Sequence, residues 1–241
     1  MTVQNNITEN LNQWNKISRY SKWMYNVYKK YIGKRVLDIG AGVGTVTSYY
    51  IDNVDLCVAT ELFDNQIDCM NERFRDIGYF HAINFDIMTN DIKQLGEFDT
   101  IICINVLEHI ENHRRALEKM RSVLCDDGKL IICVPALHNL YCYMDKNVGH
   151  YRRYGKGELK NLAAESGFNV IDDFYFNFMG IIPYWLKGHL GKDKGGSFST
   201  DLNENNSKLY NFATSVLEPI ERAVRPVAGI SEFIILTPGG N

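Results

Sequence analysis

Short apolar runs rich in β-branched residues recur along the chain, and stretches with helical spacing separate the earlier ones. Each run has the length of a buried strand, and strands that alternate with helices are typical of a parallel sheet covered on both faces. The pattern therefore predicts an α/β fold. The runs cover residues 35–39, 56–60, 80–84, 98–104, 129–134, 169–176 and 231–236.

The clearest helical stretch is EHIENHRRALEKMRSVL, in which Ile110, Leu117, Met120 and Leu124 share one face. The segment CDDGK follows it directly at residues 125–129. A glycine at this point is typical of a helix end. We therefore expect the helix to stop here, the chain to turn, and the next strand to begin.

Two regions depart from the alternation. Aromatic side chains with helical spacing precede the first strand, which predicts a helical cap over residues 1–33. The segment 178–207 begins apolar and aromatic and then becomes rich in glycine, serine and asparagine, which predicts an insertion and a lid between the last two strands. The remainder divides into a core at 34–177 and a last helix and strand at 208–241, and we expect one domain over residues 1–241.

Composition narrows the class of protein. The chain is 45% hydrophobic and 23% charged, which is ordinary for a globular domain, and its net charge of -3 does not favour a nucleic-acid partner. No apolar run approaches the roughly 20 residues of a membrane span. The polar amino terminus does not have the pattern of a signal peptide, and six scattered cysteines without C-x-x-C favour reduced thiols. We therefore expect a cytoplasmic protein without stable membrane insertion.

The stretch RVLDIGAGVGTVTSYY packs Gly40, Gly42 and Gly44 between an apolar run and a helix-compatible segment. A strand that ends in glycines brings bare backbone N–H groups close to a ligand. The dinucleotide fingerprint G-x-G-x-x-G would need a glycine where Thr45 stands. Asp38 precedes the first glycine, and a carboxylate there repels a pyrophosphate but suits a cofactor that carries an ammonium group.

On these residues the chain resembles the class I (Rossmann-like) S-adenosylmethionine-dependent methyltransferases, plainly over about residues 36–176. The resemblance implies a three-layer Rossmann-like sandwich whose seven-stranded sheet is mostly parallel with the last strand antiparallel. It also implies S-adenosylmethionine as cofactor, held by the glycine loop, by an acidic residue that ends the second strand, and by later strand ends. The cofactor-binding residues carried over are Asp38, Gly40, Ala41, Gly42, Gly44, Glu61, Leu62, Asp86, Ile87, Asn105 and Val106.

The stretch after the fifth strand is dense in functional side chains and resembles a subgroup with a Gly-His-x-Arg-Arg-Tyr loop. Ligands of open α/β sheets bind beyond the carboxyl ends of the strands, so we expect this loop to face the methyl acceptor. His150 is the predicted catalytic proton acceptor, and Arg152 or Arg153 the predicted anion-binding group. Alternatively, these arginines only tie the loop to the sheet or pair with Asp145. The predicted substrate-binding residues are Tyr20, Trp23, His138, Tyr143, Arg152, Arg153 and Tyr154.

His109 and His113 are four residues apart, a helical spacing that can bind a metal. However, EHIENH does not reproduce the Glu-x-x-His-His site of some RNA-end methyltransferases. Asn105 stands where the cation-dependent catechol type would need an acidic residue. We therefore expect no metal.

The resemblance favours methylation of a small molecule, most of all at a hydroxyl of a sugar-like or other polar metabolite. Three alternatives stay open: nitrogen or carbon methylation of a secondary metabolite or lipid-linked acceptor, a nicotinamide-dependent oxidoreductase, and a non-catalytic cofactor-binding partner protein. We interpret the apolar half of 178–207 as a wall of the acceptor pocket or a contact of a homodimer. A lipid-facing interfacial element is the alternative.

Overall fold

All seven predicted strands form and join in one sheet. The computed structural model describes residues 18–190 and 204–240. Within them the strand order is β3-β2-β1-β4-β5-β7-β6, and β7 alone runs antiparallel to its neighbours. This confirms the predicted Rossmann-like fold. The strands are β1 (Arg35–Ile39), β2 (Leu56–Glu61), β3 (Phe80–Asn84), β4 (Phe98–Ile104), β5 (Leu124–Pro135), β6 (Phe168–Phe176) and β7 (Ser231–Pro238).

Helices cover the sheet on both faces. Apolar side chains of α1 and α2 pack on one face, and those of α3 and α5 pack on the other. The bounds are α1 (Ser18–Tyr28), α2 (Asp64–Arg73), α3 (His113–Arg121), α4 (Tyr143–Asn147), α5 (Glu158–Glu165), α6 (Ile181–Leu190) and α7 (Glu204–Val224).

The near-continuous apolar runs of the central strands follow from this double cover. Successive side chains of a strand point to opposite faces, so both faces need apolar residues when both are buried. In β4, Ile101 and Cys103 join one core cluster while Ile102 joins the other. In β7, Ile234 and Ile235 divide between the two clusters in the same way.

The predicted helix over EHIENHRRALEKMRSVL is shorter than expected. A 3₁₀ turn at Leu107–His109 is followed by Ile110 in an extended conformation, and α3 begins only at His113. The side chain of Asn112 accepts a hydrogen bond from the backbone N–H of Arg115 at 3.1 Å, which caps the new helix start. The apolar residues keep helical spacing through this segment, although the backbone leaves the helical conformation before Asn112 and a new helix begins after it.

The expected glycine turn at 125–129 is also wrong, because β5 already begins at Leu124. Phe98 of β4 pairs with Leu124, whereas Thr100 pairs with Lys129, so β5 carries extra residues over this stretch. The CDDGK segment is therefore a bulge inside a strand and not a turn before one.

The predicted cap and insertion are described in part. Residues 1–17 of the cap and 191–203 of the insertion lie outside the described residues. The cap contributes α1, and the insertion contributes a short 3₁₀ turn, α6 and the first turn of α7, which starts at Glu204. No helix among the described residues is long and apolar enough to cross a membrane.

Glu232 of β7 is a buried carboxyl group that supplies a test of the fold. It lies beside Asp173 of β6, whose carboxylate pairs with Lys160 at 2.8 Å. Burial and the neighbouring Asp173 raise the pKa of Glu232 from 4.5 to about 8. The folded state therefore holds the proton more tightly than the unfolded state. This contribution to stability is complete below pH 4.5 and is lost as the pH rises towards 8.

We expect Glu232→Gln to remove this pH dependence, because glutamine resembles the protonated acid. The difference in free energy of unfolding between the variant and the wild type should shift in favour of the variant by about 1–3 kcal/mol as the pH rises from 5 to 8. Urea unfolding at both pH values measures the difference, and Glu97→Gln on the exposed surface is the matched control. Parallel pH profiles for Glu232→Gln and the wild type would contradict the assignment.

Candidate active site

The glycine loop after β1 has the backbone conformation that its residues predict. Gly40, Gly42 and Gly44 have φ values of 67°, 63° and 73°, in the left-handed region that side chains disfavour. A Cβ at Gly40 would lie 2.4 Å from Cγ2 of Val106, which follows β4. The loop therefore needs glycine both for its turn and for its close approach to the neighbouring strand end.

Asp38 is buried at the end of β1 and is held from behind by two hydroxyl groups. Its Oδ2 atom accepts hydrogen bonds from Thr47 Oγ1 at 2.8 Å and from Tyr50 OH at 2.5 Å. Burial raises the pKa of Asp38, and these two hydrogen bonds oppose that effect. The two bonds fix the orientation of a carboxylate on the wall of the cleft.

Glu61 at the end of β2 connects the second strand to the glycine loop. Its Oε1 atom accepts from the backbone N–H of Gly42 at 2.7 Å, and its Oε2 atom accepts from that of Leu62 at 2.9 Å. Burial raises the pKa of Glu61, and both backbone hydrogen bonds lower it. Two carboxylates on adjacent strands thus border the same loop.

A cleft of about 1660 Å³ opens beyond the carboxyl ends of the parallel strands. Nearly all predicted cofactor-binding residues line it. Gly42 and Gly44 do not line the cleft, and their left-handed backbone conformations contribute to the turn of the loop. The predicted residues on the wall are Asp38, Gly40, Ala41, Glu61, Leu62, Asp86, Ile87, Asn105 and Val106.

Helices α1 and α6 form the other side of the cleft. Tyr20 and Trp23 of α1 line it, as predicted, although both are almost fully buried. The ring of Trp23 lies 4.3 Å from that of Phe176 at the end of β6. Tyr184 and Lys187 of α6 also line the cleft, and the sequence did not single them out. The same aromatic side chains therefore pack in the core and line the cleft.

Asp145 of α4 is the centre of a buried hydrogen-bond network that the sequence named only as an arginine partner. Its Oδ1 atom lies 2.8 Å from Nε of Arg153 and 3.0 Å from Nδ1 of His150. Its Oδ2 atom accepts from Cys142 N at 3.0 Å and from Tyr184 OH at 3.2 Å. Burial opposes its ionisation, but the hydrogen bond from His150 and the charge of Arg153 lower the pKa of Asp145 overall.

Glu108 is a functional candidate to which the sequence pattern assigns no role. It is fully buried, and neither carboxyl oxygen has a hydrogen-bond partner among the described residues. Its Oε1 atom lies 3.8 Å from Nε2 of His150, and the ring of His109 stands edge-on to that of His150 at 4.6 Å. Burial raises the pKa of Glu108 to about 7, and burial with the nearby His150 lowers that of His109 to about 4.

Hydrogen bonds to backbone carbonyl oxygens join the turn after β4 to the loop after β5. The N–H of Tyr151 donates to the carbonyl oxygen of Glu108 at 2.9 Å. The guanidinium of Arg152 donates to the carbonyl oxygens of Ile110 and Glu111 at 2.5 and 2.9 Å. These contacts bring His150 beside Glu108, across 42 residues of sequence (150 − 108).

The arginines of the loop do not have the geometry of an anion-binding group. Arg152 binds the two carbonyl oxygens just described. Arg153 lines the cleft, but it is buried and paired with Asp145, and it also donates to the carbonyl oxygen of Ala136 at 3.1 Å. The structure therefore favours the alternative in which both arginines tie the loop to its surroundings.

Three other predicted substrate-binding residues lie away from the cleft. His138 is exposed and pairs with Glu158 at 2.6 Å. Tyr154 is fully buried, and its hydroxyl lies 2.9 Å from Nδ1 of His113. That contact also separates His113 from His109, so the helical spacing of the two histidines does not form a site. Tyr143 opens α4 and is absent from the cleft wall.

Residues 17–173 match the protein family described as "Methyltransferase domain". The match covers more than half of the 241 residues. The chain therefore belongs to this family of methyltransferases.

The curated relatives are distant, and the chain spans less than two thirds of each. An uncharacterized protein of Synechococcus sp. is 34% identical over 106 residues, which are 42% of this chain and 25% of that protein. A probable (S)-tetrahydroprotoberberine N-methyltransferase of Papaver bracteatum is 24% identical over 64% of this chain and 43% of its own. A ubiquinone biosynthesis O-methyltransferase of Coxiella burnetii is 21% identical over 58% of this chain and 65% of its own.

Solved structures share the fold at low identity. An S-adenosylmethionine-dependent methyltransferase from Clostridium acetobutylicum aligns with a TM-score of 0.60 and 12% identity over 92% of both chains. Coclaurine N-methyltransferase, bound to N-methylheliamine and SAH, aligns with a TM-score of 0.60 and 19% identity over 90% of this chain and 72% of its own. At these identities the likeness concerns the fold alone.

We expect Gly40→Ala to displace the glycine loop, because its Cβ would meet Val106 and its φ is left-handed. Binding of S-adenosylhomocysteine, measured by calorimetry, should weaken at least about tenfold, which is about 1.4 kcal/mol. Gly78→Ala is the matched control, since a Cβ there meets nothing within 4 Å. Equal affinities for the two variants would show that the loop does not need glycine at position 40.

Proposed function

We propose that this protein is an S-adenosylmethionine-dependent methyltransferase that acts on a small molecule. Its preferred acceptor is a hydroxyl of a sugar-like or other polar metabolite. The observation that carries the proposal is the convergence of the glycine loop with Asp38 and Glu61 on one cleft beyond the strand ends.

The charge of the cleft supports this cofactor over a dinucleotide. S-adenosylmethionine carries an ammonium, a sulfonium and two ribose hydroxyls, but no phosphate. Asp38 suits the ammonium group, and Glu61 suits the hydroxyl donors of the ribose. A pyrophosphate beside these carboxylates would meet like charge. Membership of a methyltransferase family further disfavours the nicotinamide-dependent alternative.

Methyl transfer is an in-line displacement at carbon, and the sulfonium already activates the methyl group. The protein therefore has to position the acceptor and remove its proton. We propose that proton removal depends on Nε2 of His150, because Nδ1 is engaged with Asp145 and Nε2 faces Glu108 at the cleft wall. Tyr20, Trp23 and Tyr184 are then candidates to surround the acceptor.

Nitrogen methylation is the second candidate. The relatives include proteins named as N-methyltransferases and others named as O-methyltransferases, and the sequence has no motif that selects the acceptor atom. Four further expectations stay predictions: membership of the Gly-His-x-Arg-Arg-Tyr subgroup, a cytoplasmic location, the lack of a nucleic-acid partner, and a homodimer.

We expect the wild-type protein to bind S-adenosylhomocysteine and not NADH in calorimetric titrations. Glu61→Gln should weaken S-adenosylhomocysteine binding at least about tenfold, because the amide both replaces a charge and offers a donor where acceptors are needed. Glu97→Gln on the exposed surface is the control. Uptake of NADH without uptake of S-adenosylhomocysteine would exclude the proposed cofactor.

We expect His150→Gln to lower turnover by about 100-fold or more while affinity for S-adenosylhomocysteine stays within about twofold. Release of S-adenosylhomocysteine from S-adenosylmethionine, with a panel of polyhydroxylated and amine acceptors, measures turnover. His81→Gln, at an exposed histidine of β3, should leave it unchanged. Unaltered turnover in His150→Gln would remove His150 from the mechanism.

A further inference from the structure

Three potential ligands converge at the part of the cleft wall formed by the turn after β4 and the loop after β5. We call this part the acceptor side, because the proposed function places the methyl acceptor there. The carboxylate of Glu108 and the rings of His109 and His150 each offer one ligand atom, and these atoms all lie within 4.8 Å of one another. All three residues line the cleft. Two come from the turn after β4 and one from the loop after β5. The backbone N–H of Tyr151 and the guanidinium of Arg152 hold these two segments together.

Each of the two histidines has one ring nitrogen engaged by a hydrogen-bond partner. The other ring nitrogen is left with a lone pair that can bind a ligand. Nδ1 of His150 lies 3.0 Å from Oδ1 of Asp145, and an ionised carboxylate only accepts, so the ring proton belongs on Nδ1. Nε2 then presents its lone pair towards Glu108. The ring of His109 hydrogen-bonds to the backbone of Gly149, which engages one of its nitrogens in the same way. A carboxylate or carbonyl behind a histidine is the usual support of a metal ligand.

No other residue of the described chain supplies a donor to the carboxylate of Glu108. Both of its oxygens are buried without a hydrogen-bond partner, and the 3.8 Å to Nε2 of His150 is too long for a hydrogen bond. The nearby cation, Arg153, is committed to Asp145. Burying an unpaired carboxylate is costly unless a cation or proton compensates it. Lone pairs of three groups that face one another across a gap have the arrangement of a cation site.

The geometry points to a divalent cation of the transition series, bound by Glu108, His109 and His150. Two imidazoles and one carboxylate suit Zn²⁺, Mn²⁺, Fe²⁺ or Co²⁺, whereas Mg²⁺ and Ca²⁺ prefer oxygen ligands throughout. Three protein ligands leave coordination positions open towards the cleft. This site departs from the sequence-based expectation of no metal, which considered His109 with His113.

The role of the cation rests on the proposed function. Two adjacent hydroxyls of an acceptor can fill the open positions, so the favoured substrate class is a vicinal diol. With the cation bound, Nε2 of His150 acts as its ligand and not as the proton acceptor. A bound hydroxyl then loses its proton to water more readily because the cation stabilises the oxyanion. That oxygen then forms the new bond to the methyl carbon. The carbon–sulfur bond breaks with its electron pair left on sulfur, and one proton is released per methyl group transferred.

The test is metal binding by the full chain, with a readout that does not need the acceptor. Chelator-treated, dialysed protein is titrated with Zn²⁺ by calorimetry, and with Co²⁺ by visible absorption, which reports imidazole and carboxylate ligation. We expect about one equivalent of each per wild-type chain. In Glu108→Gln and in His150→Gln the affinity should fall at least about tenfold. The surface variant His81→Gln should match the wild type.

Circular dichroism and binding of S-adenosylhomocysteine verify that each variant is folded, and His109→Asn serves as a third variant if one of the others does not fold. No saturable uptake by the wild type would overturn the site. So would uptake that the folded ligand variants retain unchanged.

The two proposals fail separately. The cation site would be wrong, and the proposed methyltransferase function would stand, if the protein binds S-adenosylhomocysteine and transfers methyl groups but takes up no metal and is not inhibited by chelator. Metal uptake without binding of S-adenosylhomocysteine would sink the proposed function and leave the site.

Discussion

The parallel alignment of β1, β2, β4 and β5 is the constraint on which the rest of the site depends. Parallel strands end at the same edge of a sheet, so the loops that follow them have to meet there. Asp38 and Glu61 lie at the ends of β1 and β2, and Glu108 lies in the turn after β4. All three line one cleft, although they are far apart in sequence. The sheet can hold this register because both of its faces are buried under helices.

The pair of Asp145 and Arg153 fixes the acceptor side within that frame. A buried ion pair contributes little net stability, because desolvation offsets the attraction, but removing either partner leaves a buried charge. Here the shared carboxylate also holds His150 and accepts from Tyr184 of α6. A single aspartate thus links the loop after β5 to the helix that closes the cleft. It orients a histidine at the point where Glu108 lacks a partner.

The cleft wall is built from side chains that are also part of the core. Tyr20 and Trp23 pack on Phe176 and face the cleft at the same time. On α6, Tyr184 faces the cleft, while Ile182 is 69% exposed on the other side of the helix. The shape of the cleft and the packing of the cap are therefore coupled, and substitutions that reshape the cleft will also change stability.

The sequence by itself determined the strands, the two-sided sheet and the glycine loop with Asp38 before it, because each depends on local pattern and short spacing. The family resemblance added Glu61. It could not determine the acceptor side. The periodicity that paired His109 with His113 crosses a break capped by Asn112, and His113 turns to Tyr154 instead. The motif that includes Arg152 could not show that its guanidinium donates hydrogen bonds to two backbone carbonyl oxygens. Only the tertiary structure placed His150 beside Glu108, because hydrogen bonds between two distant loops, and no local rule, bring them together.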